Sequence, residues 1–274
     1  MLLNLKTIHK PATVEEAAGL LADPGVYPLY GGAALHRANR TDVEAALDLG
    51  QLGLDFVRDS ENSLRLGSML SLEAARQACL ERRDTHPQLG AVADTLAADL
   101  PLTLRNTMTL GDLLVERDPG SLVLTLLLAL GAVIERADVA VLLTMSSFLS
   151  VDEDVARYLL TGLRVPYGPA GGAIAWEKVA RTPADAPIVG AVARVQAGEA
   201  GGRFSALALC GVAPVPVGQP EVARTYDETG DIEAALGQLA LDPPDDHWGS
   251  REYRAEMARV TARRALLRAA SDAR

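Results

Sequence analysis

The chain has 274 residues in an ordinary globular balance, 49% hydrophobic and 23% charged, long enough for one large core or two smaller ones. Its formal net charge of -10 argues against a nucleic-acid-binding face, because phosphate contacts need clustered Lys and Arg. Its 2 cysteines, Cys79 and Cys210, form no Cys-x-x-Cys pair, which argues against a zinc site, an iron–sulfur cluster or a disulfide framework within this chain. The opening MLLNLKTIHKPATVEE has no long apolar core of a targeting segment. The most apolar stretch, Leu122 to Ile134, is too short to span a bilayer, so a cytoplasmic chain with no membrane attachment is expected.

In chain order, residues 5–10 read as a short strand, and Thr13 is placed to cap a helix with Glu15 and Glu16 in its first turn. Asp23-Pro24-Gly25 ends that helix, and Val26 to Tyr30 forms a strand running into Gly31-Gly32. A strand, a Gly-rich turn and a helix present backbone N–H groups to an anion, and the same pattern also serves as a plain tight turn. Val43 to Leu49 is a further strand, a hairpin turns at Asp59 to Asn62, and Leu64 to Gly67 is a strand leading to a helix capped by Ser71. Pro87 to Leu100 is an amphipathic helix. Arg105 to Ser121 then carries a second small-residue turn at Thr109-Leu110-Gly111, which with Gly31-Gly32 could clasp a dinucleotide diphosphate. An apolar helix at 122–130 and a β-rich passage to Pro166 follow.

Tyr167 to Gly172 has the composition of a linker. Beyond it, Ala173 to Val179, Ile188 to Val195 and Phe204 to Val212 read as an antiparallel sheet, with helices at Ile232 to Leu241 and Arg251 to Ala269 covering one face. The histidines His9, His36, His86 and His247 are dispersed, and neither a nucleophilic triad nor an acid–base carboxylate pair is evident.

This order of segments resembles the FAD-binding (medium) subunits of molybdenum hydroxylases, the family of carbon monoxide dehydrogenase and bacterial xanthine dehydrogenase. The resemblance rests on HKPATVEEAAGLLADPGVYPLYGGAAL, on LRNTMTLGDLLVERDPGS where the family carries Arg-Asn-x-x-Thr-Ile-Gly-Gly-Asn and an Asp-Pro segment, on Ala175 to Val179, on Gly211 to Pro214, and on Gly249 to Arg254. It implies an α+β fold: an FAD-binding domain over residues 1–166, in subdomains of about 1–55 and 56–166, followed by a sheet-plus-helix domain over 173–274. It implies FAD, with backbone contacts from Tyr30, Gly31, Gly32, Ala33, Ala34 and Leu35 and from Thr109, Leu110, Gly111, Asp112 and Leu113. Arg105 and Asp118 would flank the cofactor, and Trp176 and Lys178 would meet the flavin ring. It further implies molybdopterin-binding and 2Fe-2S partner subunits, a dimer of heterotrimers, and electrons passing from the clusters through the flavin to an external acceptor.

This sequence departs from the pattern in the turns themselves. Ala33 and Ala34 replace polar residues, Leu113 replaces an amide, Leu122 stands where a ribose-side Asp is expected, and Asp112 replaces a glycine. A carboxylate about 4 Å from a phosphate costs about 4 kcal/mol at an intermediate dielectric, about three decades of affinity. Arg105 or Arg37 would offset it if either pointed there. Asp112 reads equally as the N-cap of a helix starting near Leu113, Trp176 as core packing, Lys178 as half of a surface pair, and Asp118-Pro119-Gly120 as a turn. The alternative function is therefore the same fold with a degenerate flavin site, acting as a scaffold, interaction or metabolite-binding protein.

Overall fold

The computed structural model describes residues 2, 4–37, 40–137, 142–168, 172–183, 185–197 and 203–273; the side chains of His36 and Arg37, and the centre of the expected linker, Pro169 to Gly171, lie outside them. In chain order the elements are β1 (Thr7–His9), α1 (Val14–Leu20), β2 (Val26–Leu29), α2 (Ala33–Arg37), β3 (Ala45–Asp48), β4 (Val57–Ser60), β5 (Ser63–Gly67) and α3 (Leu72–Leu80). Next come α4 (Pro87–Asp99), α5 (Leu102–Thr107), α6 (Leu110–Glu116), α7 (Leu122–Leu130), β6 (Val133–Arg136), β7 (Leu143–Thr144), α8 (Met145–Ser150) and β8 (Leu160–Pro166). The remainder is β9 (Ala173–Val179), β10 (Val189–Ala197), β11 (Arg203–Cys210), β12 (Val217–Gly218), α9 (Pro220–Thr229), α10 (Ile232–Leu236) and α11 (Arg251–Asp272).

These elements gather into two compact units, neither contiguous in sequence. Unit 1 comprises Met1–Ala78, Leu102–Glu116 and Ala132–Val165; unit 2 comprises Cys79–Pro101, Arg117–Gly131 and Pro166–Arg274.

Unit 1 holds two sheets. In the first, β3 lies between β1 and β2 and parallel to both, Ala46 pairing with Ile8 on one side and Tyr27 on the other. Parallel strands need connections that return along the sheet, which α1 and α2 supply. α1 begins where Thr13 predicts: the Thr13 hydroxyl accepts the Glu16 N–H at 3.1 Å, and the Glu16 carboxylate reaches back to the Ala12 N–H at 2.7 Å. The second sheet has the order β4-β5-β8-β6-β7, with the expected hairpin between β4 and β5.

Unit 2 is built on the antiparallel sheet β12-β11-β10-β9. Alternation along β10 sends Val189, Ala191, Ala193 and Val195 to the face covered by α9, α10 and α11, where they pack with Leu207, Leu209, Ala258, Ala262 and Leu266. α10 and α11 cover one face as expected, and α7 packs on the other face against β10 and β11. α7 is LVLTLLLAL with all but Leu128 buried, and a helix apolar on every side has to be covered on every side. Its ends are where the sequence puts them, Ser121 accepting the Leu124 N–H at 3.2 Å and Gly131 closing it at φ 70°.

Candidate cofactor site

The first small-residue turn follows β2. Tyr30 is buried and held at its far end, its hydroxyl donating to Tyr158 O at 2.7 Å and accepting the Leu160 N–H at 2.7 Å. Gly32 then takes φ 85°, a left-handed conformation that favours glycine, and Ala33 begins α2 with Ala34 and Leu35 buried.

The second turn lies between α5 and α6. Its approach is pinned to the start of α3, where Leu72 N–H donates to Met108 O at 3.0 Å and Ser71 and Thr109 form an isolated bridge. α6 starts at Leu110, not near Leu113, so Asp112 lies inside its first turn instead of capping it from outside. Thr109 and Asp112 cap the helix reciprocally: the Asp112 N–H donates to the Thr109 hydroxyl at 3.1 Å, and the Thr109 N–H donates to the Asp112 carboxylate at 3.1 Å.

The two turns interlock through Asp112, which is 1% exposed. Its other carboxylate oxygen accepts the Ala34 N–H of the first turn at 3.3 Å. A Cβ on Gly31 would run into the Asp112 carboxylate and stand 3.0 Å from Thr107 O, and a Cβ on Gly111 would run into the Tyr30 ring. Each glycine is thus required by the opposite turn. The remaining amides of the second turn are engaged as well: Leu110 N–H with Leu70 O at 3.0 Å, Gly111 N–H with Ser68 O at 2.7 Å, and Leu113 N–H with Thr109 O at 3.1 Å.

Arg105, on α5 and 9% exposed, donates from Nε to Glu73 at 2.7 Å. With Arg76 as the larger influence, the two guanidiniums hold the Glu73 carboxyl down to about 2. Glu73 lies 32 residues from Arg105, and no local pattern announced the pair.

Asp118, Trp176 and Lys178 belong to unit 2. Asp118 accepts the Gly120 N–H at 2.7 Å, making the turn its sequence suggests, and residues 118–120 border a cavity of about 490 Å3 also lined by Pro187, Gly211, Pro214 and Trp248. Trp176 and Lys178 share one face of β9, which packs on α4. Trp176 lines a cleft with Gly90, Ala91 and Asp94 of that helix. Among the described residues Lys178 pairs with no acid; its ammonium donates to Ala98 O and Asp185 O, at 3.0 Å each, which closes the end of α4.

Beside this lysine lies Asp99, which sequence reading did not single out. It is 9% exposed and accepts from the Ser121 hydroxyl at 3.2 Å and the Val123 N–H at 3.1 Å. Burial pushes its carboxyl up to about 6, against the lowering influence of those two donors and of Lys178. The folded value exceeds the ordinary one near 3.9, so the fold holds the proton in that interval. Asp99 therefore favours folding below about pH 4, and the contribution is lost as pH rises through about 6. Asp99→Asn keeps an oxygen that can accept from Ser121 and Val123 while discarding the charge, and is expected to gain on the parent by up to about 3 kcal/mol between pH 4 and pH 7. Urea unfolding at both pH values checks this; a pH-independent difference between the two proteins would refute it.

A parallel α/β layer bearing two interlocked small-residue turns, with a separate sheet-and-helix unit, defines an α+β subunit of the flavoprotein type. Residues 4–168 match the model of the FAD binding domain in molybdopterin dehydrogenase, and the chain belongs to that family. It is 28% identical to the carbon monoxide dehydrogenase medium chain of Afipia carboxidovorans, over 97% of each chain. Its fold is that of a chain of reconstituted CO dehydrogenase from Oligotropha carboxidovorans, with TM-score 0.85, 24% identity and full coverage of both chains. It is also that of a chain of quinoline 2-oxidoreductase from Pseudomonas putida 86, with TM-score 0.78, 24% identity and coverage of 99% and 98%.

FAD is the cofactor that this family membership assigns, and the chain is an FAD-binding subunit of the molybdenum-hydroxylase type. The first turn fits a diphosphate, since Gly31, Gly32, Ala33 and Ala34 carry no side chain beyond Cβ and let an anion approach the backbone. At the second turn one side chain, Asp112, opposes the fit. Among the described residues no helix is long and apolar enough to cross a membrane.

Proposed function

We propose that this chain is the electron-transfer subunit of a cytoplasmic molybdenum-hydroxylase-like complex, taking electrons from the 2Fe-2S clusters of a partner and passing them to an external acceptor. The observation that carries the reading is the family match over residues 4–168 together with a likeness to the carbon monoxide dehydrogenase medium chain along almost the whole length. Bound FAD supplies the redox chemistry, since a flavin exchanges electrons singly or in pairs. The residues of unit 1 contribute position. The backbone from Gly31 to Leu35 and the Thr109 amide before α6 would hold the diphosphate, and Tyr30, locked to Tyr158 and Leu160, fixes the distance between the turns. Cys79 and Cys210 are both buried, and burial pushes each thiol up to about 12, so neither is poised as a thiolate ligand. In this reading the clusters and the molybdopterin sit on partner subunits, in a dimer of heterotrimers.

The test is to load the purified chain with FAD, remove the excess by gel filtration, and mix it with a reduced 2Fe-2S protein under argon. A co-eluting flavin band that bleaches on mixing and returns on adding an electron acceptor is the expected result. A flavin band that the reduced iron–sulfur protein leaves unchanged would overturn the electron-transfer role.

A further inference from the structure

The amides that meet between the two turns of unit 1 already hold an anion, and it belongs to the chain. One Asp112 oxygen takes the Ala34 N–H at 3.3 Å; the other takes the Thr109 N–H at 3.1 Å and the Thr109 hydroxyl at 3.2 Å. The carboxylate lies against the bare face of Gly31, in space that a Cβ would fill. It is 1% exposed, and among the described residues no Lys or Arg forms an ion pair with it; its charge is met by backbone and hydroxyl donors. Arg105, expected to offset it, donates from Nε to Glu73 instead. The turns therefore have the contacts of an occupied anion site before any cofactor arrives.

We propose that Asp112 is the built-in occupant of this anion position: its carboxylate clasps the two turns in the free chain and competes with the cofactor diphosphate for the Ala34 and Thr109 amides. The inference rests on the FAD reading for the identity of the competitor, and on unit 1 alone for the clasp. Two anions cannot share one set of donors, and like charges about 4 Å apart repel by up to about three decades of affinity. Asp112 thus sets how tightly this chain holds FAD, and it holds the empty turns together in the meantime. Asp112 therefore has two opposite effects, tighter closure without ligand and weaker binding with it.

The test compares the parent chain with Asp112→Asn and Asp112→Gly. Asn keeps the size and one acceptor while discarding the charge, which guards against a glycine variant that fails to fold. Amide hydrogen exchange is followed by NMR without FAD, and FAD affinity by quenching of flavin fluorescence. Without FAD, the Ala34 and Thr109 amides are expected to exchange more slowly in the parent than in either variant. FAD affinity is expected to rise about tenfold in Asp112→Asn and about a hundredfold in Asp112→Gly. Equal exchange at both amides in all three proteins would overturn the clasp, and affinities no higher than the parent's would overturn the competition. If the exchange pattern appears while none of the three proteins binds FAD, the FAD reading fails and Asp112 stands as the occupant of the turns.

Discussion

Arg254→Leu is expected to lower the unfolding free energy of unit 2 by about 3 kcal/mol, with Arg254→Lys losing clearly less. Arg254 lies in the first turn of α11, 5% exposed, and its guanidinium ties together three segments distant in sequence. One nitrogen donates to Ile188 O at 2.8 Å, where the chain enters β10, and to Gly211 O at 2.7 Å, where it leaves β11. The other grips both oxygens of Asp246 at 2.7 and 2.9 Å. The carbonyls are the expensive part. They sit at strand ends under a helix, and leucine fills much of the volume while leaving both without a donor; an unsatisfied buried polar group costs about 1–3 kcal/mol. Lysine retains a cation that can reach one carbonyl or the carboxylate, but not the fork that serves all three. Gly211 adds rigidity here, because at φ 76° with the Ile188 carbonyl against it the turn has no alternative path. Both tryptophans of the chain, Trp176 and Trp248, lie in unit 2, so tryptophan fluorescence in urea reads this unit directly. A loss below about 1 kcal/mol for Arg254→Leu would mean that water serves those carbonyls and that the fork is incidental.

The contrast between what local pattern reveals and what it hides follows this same division. α7 occupies residues 122–130 as its composition demands, because a Ser cap, nine apolar or small residues and a glycine leave few other options. β9, β10 and β11 alternate visibly, and the Gly31-Gly32 turn sits between strand and helix as read. α9 carries its own signals, Pro220 at the first helical position and Gly230 closing it at φ 69°, but its apolar stripe is only Val222, Ala223 and Tyr226, too sparse to stand out among charged neighbours. α8 lies in a passage rich in β-formers and is set by the Thr144 cap and burial of Met145, Phe148 and Leu149. The candidate site was legible as two turns and illegible as a joint. Asp112 meets Ala34 across 78 positions, and Tyr30 meets Tyr158 across 128, so neither distance leaves a mark on any window of sequence. Thr109 and Asp112, three apart, do carry a capping signature, and it marks the true start of α6. Asp99 could not have been found at all, since its raised carboxyl pKa is a property of burial and burial is tertiary.

Gly111→Ala is expected to destabilise unit 1 by about 3 kcal/mol, although in most helices this exchange helps. Gly111 lies in the first turn of α6, and an added methyl lands on the Tyr30 ring. That ring has nowhere to go: it is 6% exposed, and its hydroxyl is fixed to Tyr158 O and the Leu160 N–H, both at 2.7 Å. Either these bonds break or α6 moves, and a moved α6 carries Asp112 away from Ala34. The same substitution at Gly19, exposed within α1 and with nothing within 4 Å of its Cβ position, should stabilise by about 0.5–1 kcal/mol and serves as an internal control of opposite sign. The cause is isolated by a double-mutant cycle with Tyr30→Leu. That change alone orphans the Leu160 N–H and Tyr158 O and is destabilising, but it removes the ring that the new methyl would strike. Gly111→Ala should then cost less than about 1 kcal/mol in the Tyr30→Leu background, a coupling of about 2 kcal/mol. Hydrogen exchange at the Leu160 amide, whose acceptor is the Tyr30 hydroxyl, reports the same event locally. Additive losses in the cycle would show that the glycine is needed for backbone reasons, and that Tyr30 does not set the spacing of the two turns.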